Sequence, residues 1–223
     1  MYSLLFREMR RFLRRGRSVV RLALGKGLSA DLFDLYYVVK KDPWNYRTSE
    51  LEQRKYRDIL SVLPAGPLQR VLEIGCAEGE FTQMLAPRVS SLLALDSSPT
   101  ALGRARKLNL PSVDFREVNI AREDPGGLFD LVIASEVLYY LGTVEEIQAV
   151  AQRMLTWLKP GGHLLLCHMR SQSDEDGGFA KPRWTPTHPG ANTIHGIFDG
   201  FAQLKRLQEI TDPLYRITLY GAV

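Results

Sequence analysis

The chain is poor in cysteine. Its 223 residues hold two, Cys76 and Cys167, and neither has a partner at the short spacing that metal ligands use. Both are expected to be reduced, small and half-buried. Four histidines, His163, His168, His188 and His195, likewise lack ligand spacing, so no metal is expected. No apolar run approaches the length of a membrane span. The N-terminus has no apolar core followed by a small-residue cleavage site, so it does not read as a secretory signal. A cytoplasmic protein is expected. Acidic excess is also missing, but the formal charge of +4 is not spread evenly. Residues 1–28 carry eight basic side chains and one acid, Glu8, a balance of +7 that leaves −3 for the rest. The body therefore gives no reason to expect a nucleic-acid partner.

What is present is organised around one stretch, Arg70 to Asp96. Val71-Leu72-Glu73-Ile74 is an apolar run of strand length. Gly75-Cys76-Ala77-Glu78-Gly79 is a small-residue turn, followed by a helical pattern with Phe81, Met84 and Leu85 on one face. Leu92 to Leu95 reads as a second strand that stops at Asp96. This is a βαβ unit with an acid after its second strand. Gly75 and Gly79 let backbone approach a ligand where a side chain would block it, and Asp96 can accept hydrogen bonds from ribose hydroxyls. Nicotinamide cofactors, flavins and S-adenosylmethionine all suit such a unit. Glu73 would repel a pyrophosphate but not a sulfonium, which favours a methyl donor over a dinucleotide. The bland alternative is a tight turn in an ordinary α/β core.

At these residues the chain resembles the class I S-adenosylmethionine-dependent methyltransferases. The resemblance implies a Rossmann-like α/β fold with a seven-stranded, mostly parallel sheet, an antiparallel C-terminal edge and an N-terminal helical arm. It implies S-adenosylmethionine as donor. It places Glu73, Gly75, Cys76, Ala77 and Gly79 around that donor, with Asp96 and Ser97 at its ribose, Asn119 and Ile120 at its adenine, and Ser135 beyond the fourth strand. Asn119 stands where relatives commonly carry an acid, and its carbonyl oxygen can still pair with the exocyclic amine.

Taken in order, residues 1–28 form a basic amphipathic stretch that suits an anionic membrane surface, a partner protein, packing on the domain or a lid. Residues 29–47 read as a short helix and a loop. Trp44 and Tyr46 either line the pocket or plug the core. Residues 1–47 are thus expected to be a helical arm and active-site cap, and 48–223 the methyltransferase domain. Ser49 to Leu63 reads as a helix with capping-box spacing at Ser49 and Glu52. Its Glu52, Arg54, Lys55 and Arg57 are expected on a solvated face, although Lys55 or Arg57 could point at the pocket. Ser98-Pro99 starts the next helix. Val113–Val118 and Leu128–Ala134 are strands, and Glu145–Leu158 is a helix. Lys159-Pro160-Gly161-Gly162 is a turn into a strand over His163–Cys167. Residues 170–193 read as a long loop, a candidate lid. Ile194–Phe201 reads as a short helix, and Leu204–Thr211 and Tyr215–Tyr220 as two closing strands.

Several segments resemble a narrower group, the nodulation protein S type. They are Asp42-Pro43-Trp44, Glu52-Gln53-Arg54-Lys55-Tyr56, Leu72-Glu73-Ile74-Gly75-Cys76, Phe129-Asp130-Leu131-Val132, Ser135-Glu136-Val137-Leu138-Tyr139-Tyr140-Leu141 and Gly161-Gly162-His163-Leu164. Those enzymes N-methylate an amino sugar at the end of a chito-oligosaccharide. The resemblance implies an amine acceptor on a small molecule, an amino sugar or a glycosylated natural product. An amine must lose a proton before it attacks, and Glu136 and His168 are the candidate acceptors of that proton. Tyr139, Tyr140, Trp44 and Tyr46 would shape the pocket. Oxygen or carbon methylation and a non-catalytic donor-binding subunit stay open, as does oligomeric state.

Overall fold

The computed structural model describes residues 30–170 and 189–223. The basic arm over 1–28 and most of the candidate lid lie outside the described residues.

Strands β1 (Arg70–Ile74), β2 (Ser91–Asp96), β3 (Val113–Glu117), β4 (Phe129–Ser135), β5 (Leu158–Met169), β6 (Leu204–Thr211) and β7 (Tyr215–Ala222) form one sheet in the order β3-β2-β1-β4-β5-β7-β6. β1 pairs in parallel with β2 and β4, β2 with β3, and β4 with β5. β7 runs antiparallel to β5 and β6. This is the Rossmann-like sheet with an antiparallel edge that the sequence predicts. Strand order reverses between β1 and β4. Open α/β sheets bind ligands at such a switch point, beyond the carboxyl ends of the strands.

Strand alternation builds two cores. Leu72 and Ile74 point into one with Val132 and Leu164, while Val71 joins Leu131, Ile133 and Leu165 on the other face. Helices α1 (Ala30–Val39), α2 (Glu50–Ser61), α3 (Thr82–Leu85), α4 (Pro99–Ala105), α5 (Val144–Thr156) and α6 (Ala191–Asp199) cover them. Ile147, Val150, Ala151 and Met154 of α5, with Ile194 and Phe198 of α6, enter the first core. Tyr56, Ile59 and Leu60 of α2 and Leu85 of α3 enter the second. Each buried aliphatic or aromatic side chain contributes roughly 1.5–3 kcal/mol by leaving water.

Four expectations change. Ser49 caps α2, its Oγ accepting from Glu52 N at 3.4 Å, but the Glu52 side chain turns to Lys55 Nζ at 3.0 Å instead of back to the cap. The reciprocal capping box stands on α5, between Thr143 and Glu146. The Lys159-Pro160-Gly161-Gly162 segment does not precede β5; it is a bulge within it, where pairing with β4 steps from Phe129–Leu158 to Leu131–His163. A Cβ on Gly162 would sit 2.8 Å from the Lys159 carbonyl oxygen, so glycine is required there. The helix expected over 194–201 begins earlier, at Ala191, because its first turn of Ala191, Asn192 and Thr193 carries no periodic apolar signal. Cys76 and Cys167 are free as expected, but fully buried.

Candidate active site

The carboxyl ends of β1, β2, β3 and β4 open onto one cavity of about 460 Å³, within the range of small-ligand sites. The loop after β1 is shaped by three residues with left-handed backbone, Gly75 (φ +79), Ala77 (φ +51) and Gly79 (φ +87). Gly75 N and Cys76 N both donate to Leu95 O at 2.8 Å, which fastens the loop to β2. A Cβ on Gly75 would lie 3.1 Å from Val137, and one on Gly79 would lie 2.7 Å from Leu108. The two glycines therefore keep the loop close to its neighbours as well as permitting its φ values.

Asp96 fixes the same loop from the other side. Its Oδ2 accepts from Ala77 N and its Oδ1 from Ser98 N, both at 2.8 Å. Burial raises its pKa, although those backbone donors pull it back toward the charged form. Asp96 lies in the cavity wall, and the lone-pair capacity its carboxylate keeps beyond these backbone bonds can accept from ligand hydroxyls.

Most residues singled out in the sequence meet here. Gly75, Ala77, Asp96, Ser97, Asn119, Ile120, Ser135, Glu136, Tyr140, Trp44 and Tyr46 all line the cavity. Trp44 and Tyr46 do both things the sequence left open. Their rings stack at 5.9 Å, line the cavity and pack on the buried cluster of Tyr37, Ala77 and Ala101. Asn119 Oδ1 accepts from Ala121 N at 3.0 Å, so its carbonyl oxygen shapes its own loop and keeps one lone pair for a ligand.

Five residues stand elsewhere. Glu73 does not reach the cavity wall: it is buried, accepts a 2.8 Å hydrogen bond from Thr82 Oγ1, and burial raises its pKa to about 8. It is thus a mostly neutral internal group at neutral pH, not a charge facing a sulfonium. Gly79 and Cys76 serve the loop from behind; the Cys76 side chain packs with Leu102 and Phe115. Tyr139 is buried, and its hydroxyl donates to Glu136 Oε2 at 2.6 Å. His168 is fully buried, with Nδ1 3.2 Å from His195 Nε2 and its own Nε2 without a partner among the described residues. Burial lowers its pKa to about 4. It is not a cavity group, and the proton-acceptor role given to it from its place in sequence fails on geometry.

Sequence reasoning missed several residues. Phe33 and Tyr37 line the cavity from α1, and Phe33 meets the Tyr140 ring edge-on at 4.5 Å. The aromatic density of residues 33–46 was the available signal. Arg122, Glu146, Val150 and Arg153 also line the cavity, with the Arg153 guanidinium donating to Ile120 O. Lys55, for which the sequence left both a solvated face and the pocket open, stands just behind the cavity wall. It is 1% exposed, not solvated, and its Nζ lies 2.7 Å from Glu136 Oε1. Burial alone would lower its pKa, but the neighbouring negative charges of Glu136 and Glu52 and the hydrogen bond to Glu136 together leave it raised.

A Rossmann-like sheet with this strand order, a glycine-shaped loop after β1, an acid ending β2 and a cavity across all four strand ends define a class I S-adenosylmethionine-dependent methyltransferase. The residues fit that donor. Asp96 offers acceptors for ribose, and Ile120 an apolar face for adenine. The chain belongs to the nodulation protein S (NodS) family, whose model matches residues 30–182. It is 34% identical to nodulation protein S of Rhizobium tropici over 171 residues, 75% of this chain and 68% of the relative. It is 32% identical to nodulation protein S of Bradyrhizobium diazoefficiens over 161 residues, 71% and 73% of the two chains. The crystal structure of the N-methyltransferase NodS from Bradyrhizobium japonicum WM9 in complex with S-adenosyl-L-homocysteine superposes with a TM-score of 0.73 at 27% identity, covering 86% of this chain and 98% of that one.

Proposed function

We propose that this methyltransferase transfers its methyl group to an amine of a small molecule, an amino sugar or a glycosylated natural product. The observation that carries the reading is Glu136, a carboxylate in the cavity wall fixed by Lys55, Tyr139 and the Met169 backbone N–H. A carboxylate held in this way attracts an ammonium and can take its proton, which exposes the nitrogen lone pair. The donor, when bound, supplies an electrophilic methyl on a sulfonium that leaves as a neutral thioether. The chain's own work is then mainly alignment. Asp96 and the loop after β1 hold the donor end. Phe33, Trp44, Tyr46 and Tyr140 form an aromatic wall that excludes water and favours a cation. Residues 30–47 act as the active-site cap. A hydroxyl acceptor would need a stronger base; no histidine lines the cavity among the described residues. The NodS relatives are the second support, since one of them is an N-methyltransferase.

The test is incubation of the protein with S-adenosylmethionine and a panel of amino sugars, aminoglycosides and hydroxylated analogues, read by mass spectrometry. One methyl gained on the amine compounds alone is the expected result. Gain on hydroxylated compounds only would overturn the acceptor and leave the donor site standing. The basic arm over 1–28 is proposed as a contact for an anionic membrane surface. Removing it should lower co-sedimentation with anionic vesicles and leave donor affinity unchanged.

A further inference from the structure

Glu136 is held more elaborately than a wall residue needs. Its backbone is left-handed at φ +55, a conformation that costs a non-glycine residue about 1 kcal/mol or more. Glu136 N donates to Cys167 O at 2.8 Å. Its Oε2 accepts from Tyr139 Oη at 2.6 Å and from Met169 N at 3.3 Å, and its Oε1 from Lys55 Nζ at 2.7 Å. Lys55 reaches it from α2, 81 residues earlier in the chain. The same ammonium is shared with Glu52, whose two oxygens lie 3.0 and 2.9 Å away. Neither Lys55 nor Glu52 lines the cavity.

We infer that Lys55 and Glu52 are positioning residues that set the orientation and the charge of the Glu136 carboxylate toward the acceptor. Lys55 closes one Oε1 lone pair and leaves the other for the ligand. A lone lysine–glutamate pair would be neutral and would attract an ammonium poorly. Glu52, by sharing the lysine, returns a net negative charge to the group. The other titratable side chains around Glu136 do not confuse this balance. Burial raises Tyr56, Tyr139, Tyr140 and Cys167 and lowers His168, so all five are neutral near neutral pH. Lys55 is the one cation bonded to Glu136 among the described residues. Removing Lys55 alone leaves the Glu52 and Glu136 carboxylates buried without their cation, so a loss of stability is expected whatever its role, and only the pH profile separates positioning from support.

The inference rests on the reading of Glu136 as the acceptor-facing carboxylate. It is tested with Lys55→Met, Lys55→Arg and Glu52→Gln. Donor affinity is read by S-adenosylhomocysteine calorimetry. Then kcat and KM are measured between about pH 5 and about pH 9 on whichever panel compound the unaltered protein methylates. Lys55→Met should keep donor affinity within about twofold and lower kcat roughly 10- to 100-fold, with partial recovery in Lys55→Arg. The acid limb of kcat/KM should move up by about one pH unit in Lys55→Met and down in Glu52→Gln, because one change removes a positive neighbour and the other a negative one. Opposite shifts are the signature that a merely structural role would not produce. Limbs that stay still, or move together, overturn the inference. If Lys55→Met does not fold, Lys55→Arg and Glu52→Gln decide the matter: wild-type kcat and an unmoved limb in both would overturn it. Methylation of hydroxylated compounds only would defeat the amine reading, while the same three variants still test Lys55 on that acceptor.

Discussion

Asp34 Oδ1 accepts a hydrogen bond from Ser98 Oγ at 2.6 Å and another from Thr100 N at 2.9 Å, and Thr100 Oγ1 binds Asp34 Oδ2 at 3.0 Å. One carboxylate of α1 is thus seated on the first turn of α4, beside Asp96, where the helix dipole favours negative charge. Arg104 reinforces the join by donating to Tyr37 O at 2.8 Å and pairing with Glu78 of the loop after β1, while Glu78 accepts from Asp42 N. Four aromatic wall residues, Phe33, Tyr37, Trp44 and Tyr46, therefore depend on a polar clamp outside the cavity.

Asp34→Ala is expected to loosen that wall. Three hydrogen bonds to a charged acceptor disappear, and donor affinity should fall several-fold, on the order of 1–2 kcal/mol. Calorimetry with S-adenosylhomocysteine measures it, and limited proteolysis should show earlier cleavage within residues 30–47. An affinity unchanged within error would mean the aromatic wall holds itself in place.

Asp96→Ala removes the ribose acceptors and the partner of Ala77 N and Ser98 N. Donor affinity should drop by at least about tenfold, with a modest loss of Tm. Binding equal to that of the unaltered protein would remove Asp96 from the donor site.

Glu136→Gln keeps the side chain's size but not its charge. Folding and donor binding should persist, while kcat for an amine falls by roughly 10²-fold. A pH–rate profile superimposable on the original would show that Glu136 neither receives the proton nor pairs with the ammonium.

The two inner histidines set an acid limit on stability. Burial holds His168 near a pKa of about 4 against an ordinary 6.5, and His195 well below it as well. A group whose folded pKa is depressed in this sense binds its proton more readily when unfolded. Stability is therefore whole above about pH 6.5 and is lost as pH falls toward about 4, by roughly 3 kcal/mol from His168 alone. Thermal melts of the unaltered protein between about pH 7 and about pH 4.5 should show this slope, and His168→Asn should flatten it. An identical slope in the variant would place the acid sensitivity elsewhere.

Local chemistry was legible in the sequence. The strand–glycine–acid pattern from Val71 to Asp96 marked the donor side, because a βαβ unit is made by contiguous residues and its turn must be small. The serine cap at Ser98 and the two closing strands followed from neighbours along the chain. Glu73, His168 and Tyr139 show the limit of that reasoning. Glu73 and His168 stand at the ligand ends of strands, where successive side chains point to opposite faces, and Tyr139 sits in a helical turn after β4; in each case which side met the cavity depended on the elements packed against it. Lys55 shows it more sharply. A lysine among Glu52, Arg54 and Arg57 on an amphipathic helix belongs on the water side by composition. Only the docking of α2 against β7 and the strained turn after β4 brings its ammonium to Glu136, and only there do two carboxylates offset the cost of burying it. By itself the sequence determined the fold, the donor class and the family, because those are written in short-range patterns. The tertiary structure alone decided which ionisable groups face the cavity and which hold them there, because pairing charges out of water depends on contacts between residues tens of positions apart.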